Sequence, residues 1–303
     1  MLNIEKYGAI DIGSNAIRLL VVTVIEQKGK DTIFKKTSLV RVPIRLGAEV
    51  FLEGRISDAN ARRMGDAMNA FKLLMKTHGI KRYRACATSA MREASNGLEI
   101  AEDIKNESGI SINIIEGKDE AEIIASTDLK YLIQEDKVFL YVDVGGGSTE
   151  LTLFADGENI GSKSFKIGTV RLLENLVDEN VWSEMEAWIK EETKVFHKVS
   201  MIGSGGNINT IYKKSGKRIG KPLSYLYLSS YYKRLKLLSY DERITELDMN
   251  PDRADVVVPA TRIYLSAMKW SKAKNMFVPK IGLSDGIIKS LYNEKKASEM
   301  EVN

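Results

Sequence analysis

Cysteine occurs once in the 303 residues, as Cys86, and histidine twice, as His78 and His197. One thiol excludes an internal disulfide, and two imidazoles are too few for a histidine-rich zinc or iron centre. Any metal therefore falls to carboxylates, whose hard oxygens favour Mg²⁺ or Mn²⁺. Proline is thin, at five residues, and no Pro-rich or low-complexity linker marks a domain boundary. Long apolar runs are missing too. Stretches such as Leu19–Ile25 and Val138–Val142 are strand-sized, far below the ~20 residues that span a bilayer. Met1–Lys6 carries an early acid and lacks the basic-then-apolar layout of a leader. These absences lead us to expect a cytoplasmic protein with no membrane association. Forty-five basic against 41 acidic residues leave a net charge of +4. That suits an anionic ligand but is too weak a footprint for nucleic acid.

What is present is an ordinary globular composition, 44% hydrophobic and 28% charged, in a chain long enough for two domains. Apolar, β-branched runs at Tyr7–Ile12, Leu19–Ile25 and Ile33–Val42 read as a three-strand meander. Ser57-Asp58 then starts a helix on which Met64, Met68, Phe71, Leu74 and Met75 recur at helical spacing, and Gly79 stops it. Alternating segments follow: a strand at Tyr83–Ala87, a helix at Leu98–Glu107, a strand at Ile112–Ile115 and a helix at Asp119–Leu132. The opening pattern then returns. Val138–Val142, Thr149–Phe154 and Ile160–Phe165 read as strands, followed by helices near Thr169–Leu176 and Trp182–Lys198 and a strand at Val199–Ile202. The chain beyond Lys213–Lys221 reads as largely helical.

The return has a register. Asp11-Ile12-Gly13-Ser14-Asn15 aligns with Asp143-Val144-Gly145-Gly146-Gly147-Ser148, each a strand, an Asp, a glycine turn and a second strand. Such an internal duplication points to two related domains and a cleft where small ligands bind. Glycine turns let backbone N–H groups converge on phosphate oxygens. Ser148 and Thr149 add hydroxyls, and Asp143 and Glu150 flank the turn with carboxylates suited to a divalent cation. Asp11 ends a buried strand, where its charge needs an answer. A Rossmann reading fails because a strand, not a helix, follows the glycines, and a P-loop fails because no Gly-Lys-Ser/Thr follows. The plainer reading, a hairpin whose Asp bonds its own turn, stays open for the first motif.

These motifs resemble the exopolyphosphatase / guanosine pentaphosphate phosphohydrolase family of the actin, sugar-kinase and Hsp70 superfold. Asp11 to Leu19, with Arg18, and Asp143 to Glu150 resemble its two phosphate motifs. Ala87 to Asn96 resembles its arginine segment, and Ile115 to Glu122 the segment that carries its proposed catalytic glutamate, here Glu120. Lys166 to Arg171 and the glycine turn Gly203 to Asn207 match further segments. The resemblance implies an α/β fold of two duplicated RNase H-like domains flanking a cleft: residues 1–125, with a C-terminal helix near 284–303 packing back on it, and 126–283. Ser284-Asp285-Gly286 stands where the family often has Arg-Glu-Gly. The 303 residues stop before the extra helical domain of larger members, so the resemblance is to a short form.

The implied activity is hydrolysis of the terminal phosphoanhydride of polyphosphate. Glu120 would activate water and Arg92 clamp the phosphoryl group. Gly13, Ser14, Asn15, Arg18, Gly145, Gly146, Gly147, Ser148 and Thr149 would bind phosphate, and Mg²⁺ or Mn²⁺ would sit near Asp143, Glu150 and Asp11. From the residues alone, Glu120 also reads as an acid of a helix first turn, Arg92 as a surface ion pair with Glu93 or another acid, and Arg18 as solvent-facing. The basic stretch Lys213, Lys214, Lys217, Arg218 and Lys221 reads as a polyanion-binding or a plainly solvated face. Tyr225, Tyr227, Tyr231 and Tyr232 beside it read as core or as a base-stacking platform. Hydrolysis of guanosine pentaphosphate, a kinase-like phosphotransferase with Gly203–Asn207 holding adenosine, and a sensor of guanosine tetra- or pentaphosphate are the alternatives. The resemblance also implies a homodimer.

Overall fold

The computed structural model describes residues 2–125, 127 and 137–301. Its Cα positions separate two compact units, Met1–Thr127 together with Leu283–Asn303, and Asp128–Gly282.

The first unit opens with the meander expected from the sequence: β1 (Leu2–Ile12), β2 (Ile17–Gln27) and β3 (Ile33–Val42). There follow α1 (Leu46–Glu53), α2 (Asp58–His78), β4 (Arg82–Ala87), α3 (Ser89–Glu93), α4 (Gly97–Ser108), β5 (Ile112–Ile114) and α5 (Gly117–Ala125). The sheet runs β3-β2-β1-β4-β5, with β1, β2 and β3 antiparallel and β1, β4 and β5 parallel. Every residue of β1 from Tyr7 to Ile12 is buried, the pattern of a central strand covered on both faces. α2 follows its sequence signals. Ser57 accepts the Asn60 N–H as N-cap, Met64, Met68, Phe71 and Met75 are buried, and Gly79 at φ 69° closes the helix. α5 begins at Gly117, two residues before the expected start; its expected run through 126 and 128–132 lies outside the described residues.

The second unit repeats the plan with β6 (Val138–Val144), β7 (Thr149–Ala155), β8 (Glu158–Phe165), α6 (Thr169–Leu173), α7 (Glu179–Thr193), β9 (Val199–Ser204) and α8 (Gly206–Lys214). It ends with β10 (Leu223–Ser224), α9 (Tyr225–Leu237), α10 (Tyr240–Thr245), α11 (Pro251–Ala254), α12 (Val257–Trp270) and β11 (Asn275–Phe277). Its sheet runs β10-β11-β9-β6-β7-β8. Read outward from β6, β7 and β8 are antiparallel and β9 and β11 parallel, matching β2, β3, β4 and β5 around β1. α7 starts earlier than expected because Asp178 caps it, accepting the Asn180 N–H. Tyr231 is buried and stacks on Tyr227 at 6.0 Å between centroids, as core.

The last helix, α13 (Leu283–Glu301), returns to the first unit and packs on β1 and α5. At the crossing, an added Cβ on Gly286 would lie 2.2 Å from the Ile123 carbonyl oxygen, so only glycine fits that approach. Two cores result. One is built around Ile10, Ile12, Leu19, Met64 and Phe71, the other around Leu140, Leu151, Met201, Ile263 and Tyr264. Each fully buried large side chain contributes roughly 1.5–3 kcal/mol relative to exposure.

Candidate active site

In each unit the chemistry gathers at the hairpin turn between the first two strands. Gly13 N–H donates to Ala16 O at 3.1 Å, and Gly145 N–H donates to Ser148 O at 3.0 Å. Both turns are closed by the same bond. This corrects one detail of the sequence reading: the N–H groups of Gly13 and Gly145 hold the turn and are not offered to a ligand.

The carbonyls of the second turn are all held from one side. Gly145 O accepts from Thr169 N–H at 3.0 Å, Gly146 O from Val170 N–H at 2.9 Å, and Gly147 O from the buried Arg171 Nε at 2.8 Å. A trans peptide plane sets the next residue's N–H opposite to its C=O. With three successive carbonyls turned into α6, the N–H groups of Gly146, Gly147 and Ser148 therefore face the opposite way, as a nest for an anion. Gly168 permits this. An added Cβ there would lie 2.2 Å from Gly146 O.

The first turn is built alike. Ser14 O accepts from Gly47 N–H at 2.8 Å and Asn15 O from Arg45 N–H at 3.2 Å, so the N–H groups of Asn15 and Ala16 turn away from α1. The Ser14 hydroxyl is buried 2.9 Å from the Ser89 hydroxyl, which ties the turn to α3.

The two turns differ in charge at equivalent positions. Asp11 lies opposite Arg18 on β1 and β2, and Asp143 opposite Glu150 on β6 and β7. Arg18 does not simply face solvent: its Nη1 donates to Asp11 Oδ2 at 2.8 Å. In the second unit two carboxylates occupy that pair of positions. Glu150 is buried and accepts from the Ser148 and Ser164 hydroxyls at 2.5 and 3.1 Å. Two opposed carboxylates with hard oxygens suit a divalent cation. Among the described residues no group of three or more His, Cys, Asp or Glu forms a metal cage.

Arg92 and Glu120 both bond to the β5–α5 connection. Arg92 Nη1 donates to the Ile115 carbonyl, and its Nε lies 3.6 Å from Glu116 Oε2. Glu120, buried in the first turn of α5, donates its N–H to Glu116 O at 3.0 Å. Asp11 lies in register with Cys86 on β4. Burial pushes the Cys86 thiol up to about 11, and the negative charges of Asp11 and Glu120 add to the shift while Arg84 opposes it. Asp11 and Glu120 thus act on one point of the sheet.

Some contacts, and Tyr264 and Arg253 themselves, were not visible in the sequence. Ser284, at the start of α13, reaches Asp11 Oδ2 at 3.5 Å, and Asp285 pairs with Lys36 at 2.7 Å. The third glycine turn ends β9 and opens α8. Gly205, at φ 117°, and Gly206 leave room there for Tyr264 and Arg253: added Cβ atoms would lie 3.0 Å from Tyr264 Oη and 2.1 Å from Arg253 Nη2. Tyr264 donates to Ser204 O, and its phenol is raised well above the ordinary range by burial and by the charge of Asp143.

Comparison with known proteins follows the same lines. The profile of the Ppx/GppA phosphatase family matches residues 22–295. The chain is 26% identical over 279 residues to exopolyphosphatase 2 of Mycobacterium tuberculosis, covering 84% of this chain and 87% of that one. It is 27% identical over 167 residues to exopolyphosphatase 1 of Mycobacterium bovis, where the match covers 55% of this chain and spans about half, 47%, of the relative. The crystal structure of an exopolyphosphatase from Cytophaga hutchinsonii superposes with a TM-score of 0.81 at 23% identity, covering 96% of this chain and 98% of that one. That likeness shows the fold, the α/β architecture of the actin-like superfold.

Proposed function

Because the chain belongs to the Ppx/GppA phosphatase family, we propose that it hydrolyses the terminal phosphoanhydride of inorganic polyphosphate and releases orthophosphate. The observation that carries this reading is the second glycine turn, whose three carbonyls are bound to α6 and whose N–H groups at Gly146, Gly147 and Ser148 face away as an anion nest. Phosphoryl transfer needs little covalent chemistry from the protein; it needs positioned phosphate, an oriented water and stabilised charge.

The groups divide by role. The nest at Gly146–Ser148 holds phosphate oxygens in the second unit; the buried Ser148 and Thr149 hydroxyls, expected to join it, donate instead to Glu150 and to Ile167 O, each at 2.5 Å. In the first unit Ser14 and Asn15 shape the other turn, and Arg92 offers the planar fork that matches phosphate oxygens. Glu120 takes the proton of the attacking water as its oxygen bonds to the terminal phosphorus. The bridging P–O bond breaks, and the shortened chain leaves with the bridging oxygen. Asp143 and Glu150 are the residues that would hold Mg²⁺ or Mn²⁺, while the charge of Asp11 is answered by Arg18. When bound, such an ion would offset the charge of the phosphates.

The test is divalent-metal-dependent phosphate release from polyphosphate and from guanosine pentaphosphate in parallel, with Glu120→Gln as the control. Losing a general base typically costs 10²- to 10⁴-fold. Release from polyphosphate that falls by that factor supports the reading. Release that survives the substitution removes Glu120 from the role, and faster release from guanosine pentaphosphate moves the substrate to the nucleotide. The reading also includes a cytoplasmic location, consistent with the single buried Cys86, and a homodimer, for which sedimentation should give twice 33.9 kDa.

A further inference from the structure

The second unit carries a cavity beside β9 and β11. It is lined by Tyr212, Ile219, Phe277, Val278, Pro279 and Lys280, and its volume is about 100 Å³. Apart from Lys280 these side chains make an apolar wall, and Ile219 stands 90% exposed beside it. The lip is the loop that links α8 to β10. It contains Lys217, Arg218 and Lys221 and follows Lys213 and Lys214 in the last turn of α8, and no acid occurs from 205 to 224. Lys214 is paired with Asp248 at 3.0 Å. Lys217, Arg218 and Lys221 are exposed and have no ion-pair partner among the described residues.

The loop is braced. Tyr212 Oη lies 2.7 Å from Arg218 O and 2.9 Å from Lys221 O, so whichever carbonyl takes its proton, the loop is drawn over the end of α8. The Ser215 hydroxyl donates to Tyr212 O at 2.7 Å and accepts the Lys217 N–H at 3.2 Å. The backbone that carries the three cations is thereby fixed beside Ile219 and Gly220, which line the hollow.

We propose that this hollow and its lip dock an acidic peptide segment that seats one aliphatic side chain. The apolar wall suits the anchor: about 100 Å³ between Tyr212, Ile219, Phe277, Val278 and Pro279 accommodates one aliphatic side chain. Charge selects what flanks the anchor, because three unpaired cations favour carboxylates on either side of it. A polyphosphate would use the lip but gain nothing from the wall, and an apolar peptide would use the wall against uncompensated positive charge. This inference stands apart from the hydrolase reading and uses none of its residues.

Fluorescence anisotropy at low ionic strength tests it, with a labelled acetyl-Glu-Asp-Leu-Glu-Asp peptide and the same peptide with glycine in place of leucine. Burying one leucine side chain corresponds to about tenfold or more in affinity, so the glycine peptide should bind at least that much more weakly. Ile219→Asp should weaken the leucine peptide comparably, and the combined Lys217→Glu, Arg218→Glu, Lys221→Glu variant should abolish its binding. All four positions are exposed, and phosphate release should be unchanged in Ile219→Asp. The proposal is overturned if neither peptide binds, if both bind equally, which marks a polyanion surface only, or if the charge-reversed variant binds as well as the parent chain.

Discussion

A single missing methyl group at Gly168 shapes the second turn. A Cβ at that position would lie 2.2 Å from Gly146 O and 2.5 Å from the Gly147 carbonyl carbon, both backbone atoms that cannot swing aside. Gly168→Ala should therefore cost about 1–3 kcal/mol, the usual cost of overpacking, measured by urea denaturation. It should also lower phosphate release in the fraction that remains folded, since the three outward N–H groups depend on the carbonyls staying bound to α6. Arg18 gives a second test. Arg18→Met removes the partner of a buried carboxylate and should destabilise the first unit by about 1–3 kcal/mol, less than a fully buried pair would lose, because Arg18 is 31% exposed. Much of this was legible in the sequence. Asp11, Asp143 and the glycines announce themselves because a turn demands contiguous residues. Arg171, Ser89 and Ser284 lie in segments the sequence singles out, but their contacts do not show there, because each meets its partner from 24, 75 or 273 positions away, and nothing local records such a contact.

Among the elements, α2 and α13 show opposite kinds of legibility. α2 carries cap, period and stop within its own 21 residues. α1, α3, β10 and β11 were missed because runs of 8, 5, 2 and 3 residues hold too little pattern to outweigh their surroundings. α13 is bound to the sheet by charge as well as by apolar packing. Lys295, nearly buried, lies 3.0 Å from Glu5 and 3.5 Å from Glu26, and Lys296 lies 2.6 Å from Glu26. Burial pushes the Glu26 carboxyl up, but hydrogen bonds from Lys296, Asn3 and Tyr292 outweigh it and bring the group from 4.5 down to about 2. A carboxyl depressed on folding adds stability that is present above the unfolded value of 4.5 and is lost as pH falls through about 2. Unfolding midpoints in urea should accordingly drop between those two pH values, and Glu26→Gln should flatten that drop. Deleting α13 removes Ile287, Ile288 and Leu291, all under 9% exposed, and the apolar burial they provide. At roughly 1.5–3 kcal/mol each, as an upper bound, the loss approaches the whole stability of a typical domain. Hydrogen exchange on the truncated chain should show the first unit unprotected and β6, β7 and β9 still protected.

At the scale of the whole molecule, the duplication is conserved in topology and divergent in charge. Both sheets carry two antiparallel strands on one side of the central strand and two parallel strands on the other. That plan was readable because strand, Asp and glycine turn recur together; β11 and the added edge strand β10 were not, because they arise from a tail dominated by helices. The equivalent positions then separate the roles: an Asp–Arg ion pair in one unit, an Asp opposite a Glu in the other. Glu150→Arg would copy the first arrangement into the second. It should abolish the response of phosphate release to added Mg²⁺, as titration of the metal against rate would show, while leaving the Gly145–Ser148 turn closed.

The return of α13 to the first unit also sets a timetable for synthesis. The second unit is one continuous stretch, Asp128–Gly282, whereas the first needs Leu283–Glu301 to cover its sheet. The part translated first is therefore the part finished last. While the ribosome makes the second unit, the face of β1 that α13 will occupy waits uncovered, and chaperones that bind apolar surface have their longest opportunity there. A nascent chain stalled on a flexible linker after Gly282 should yield a protease-resistant second unit and a protease-sensitive first one, with resistance spreading to the first only once α13 has left the exit tunnel.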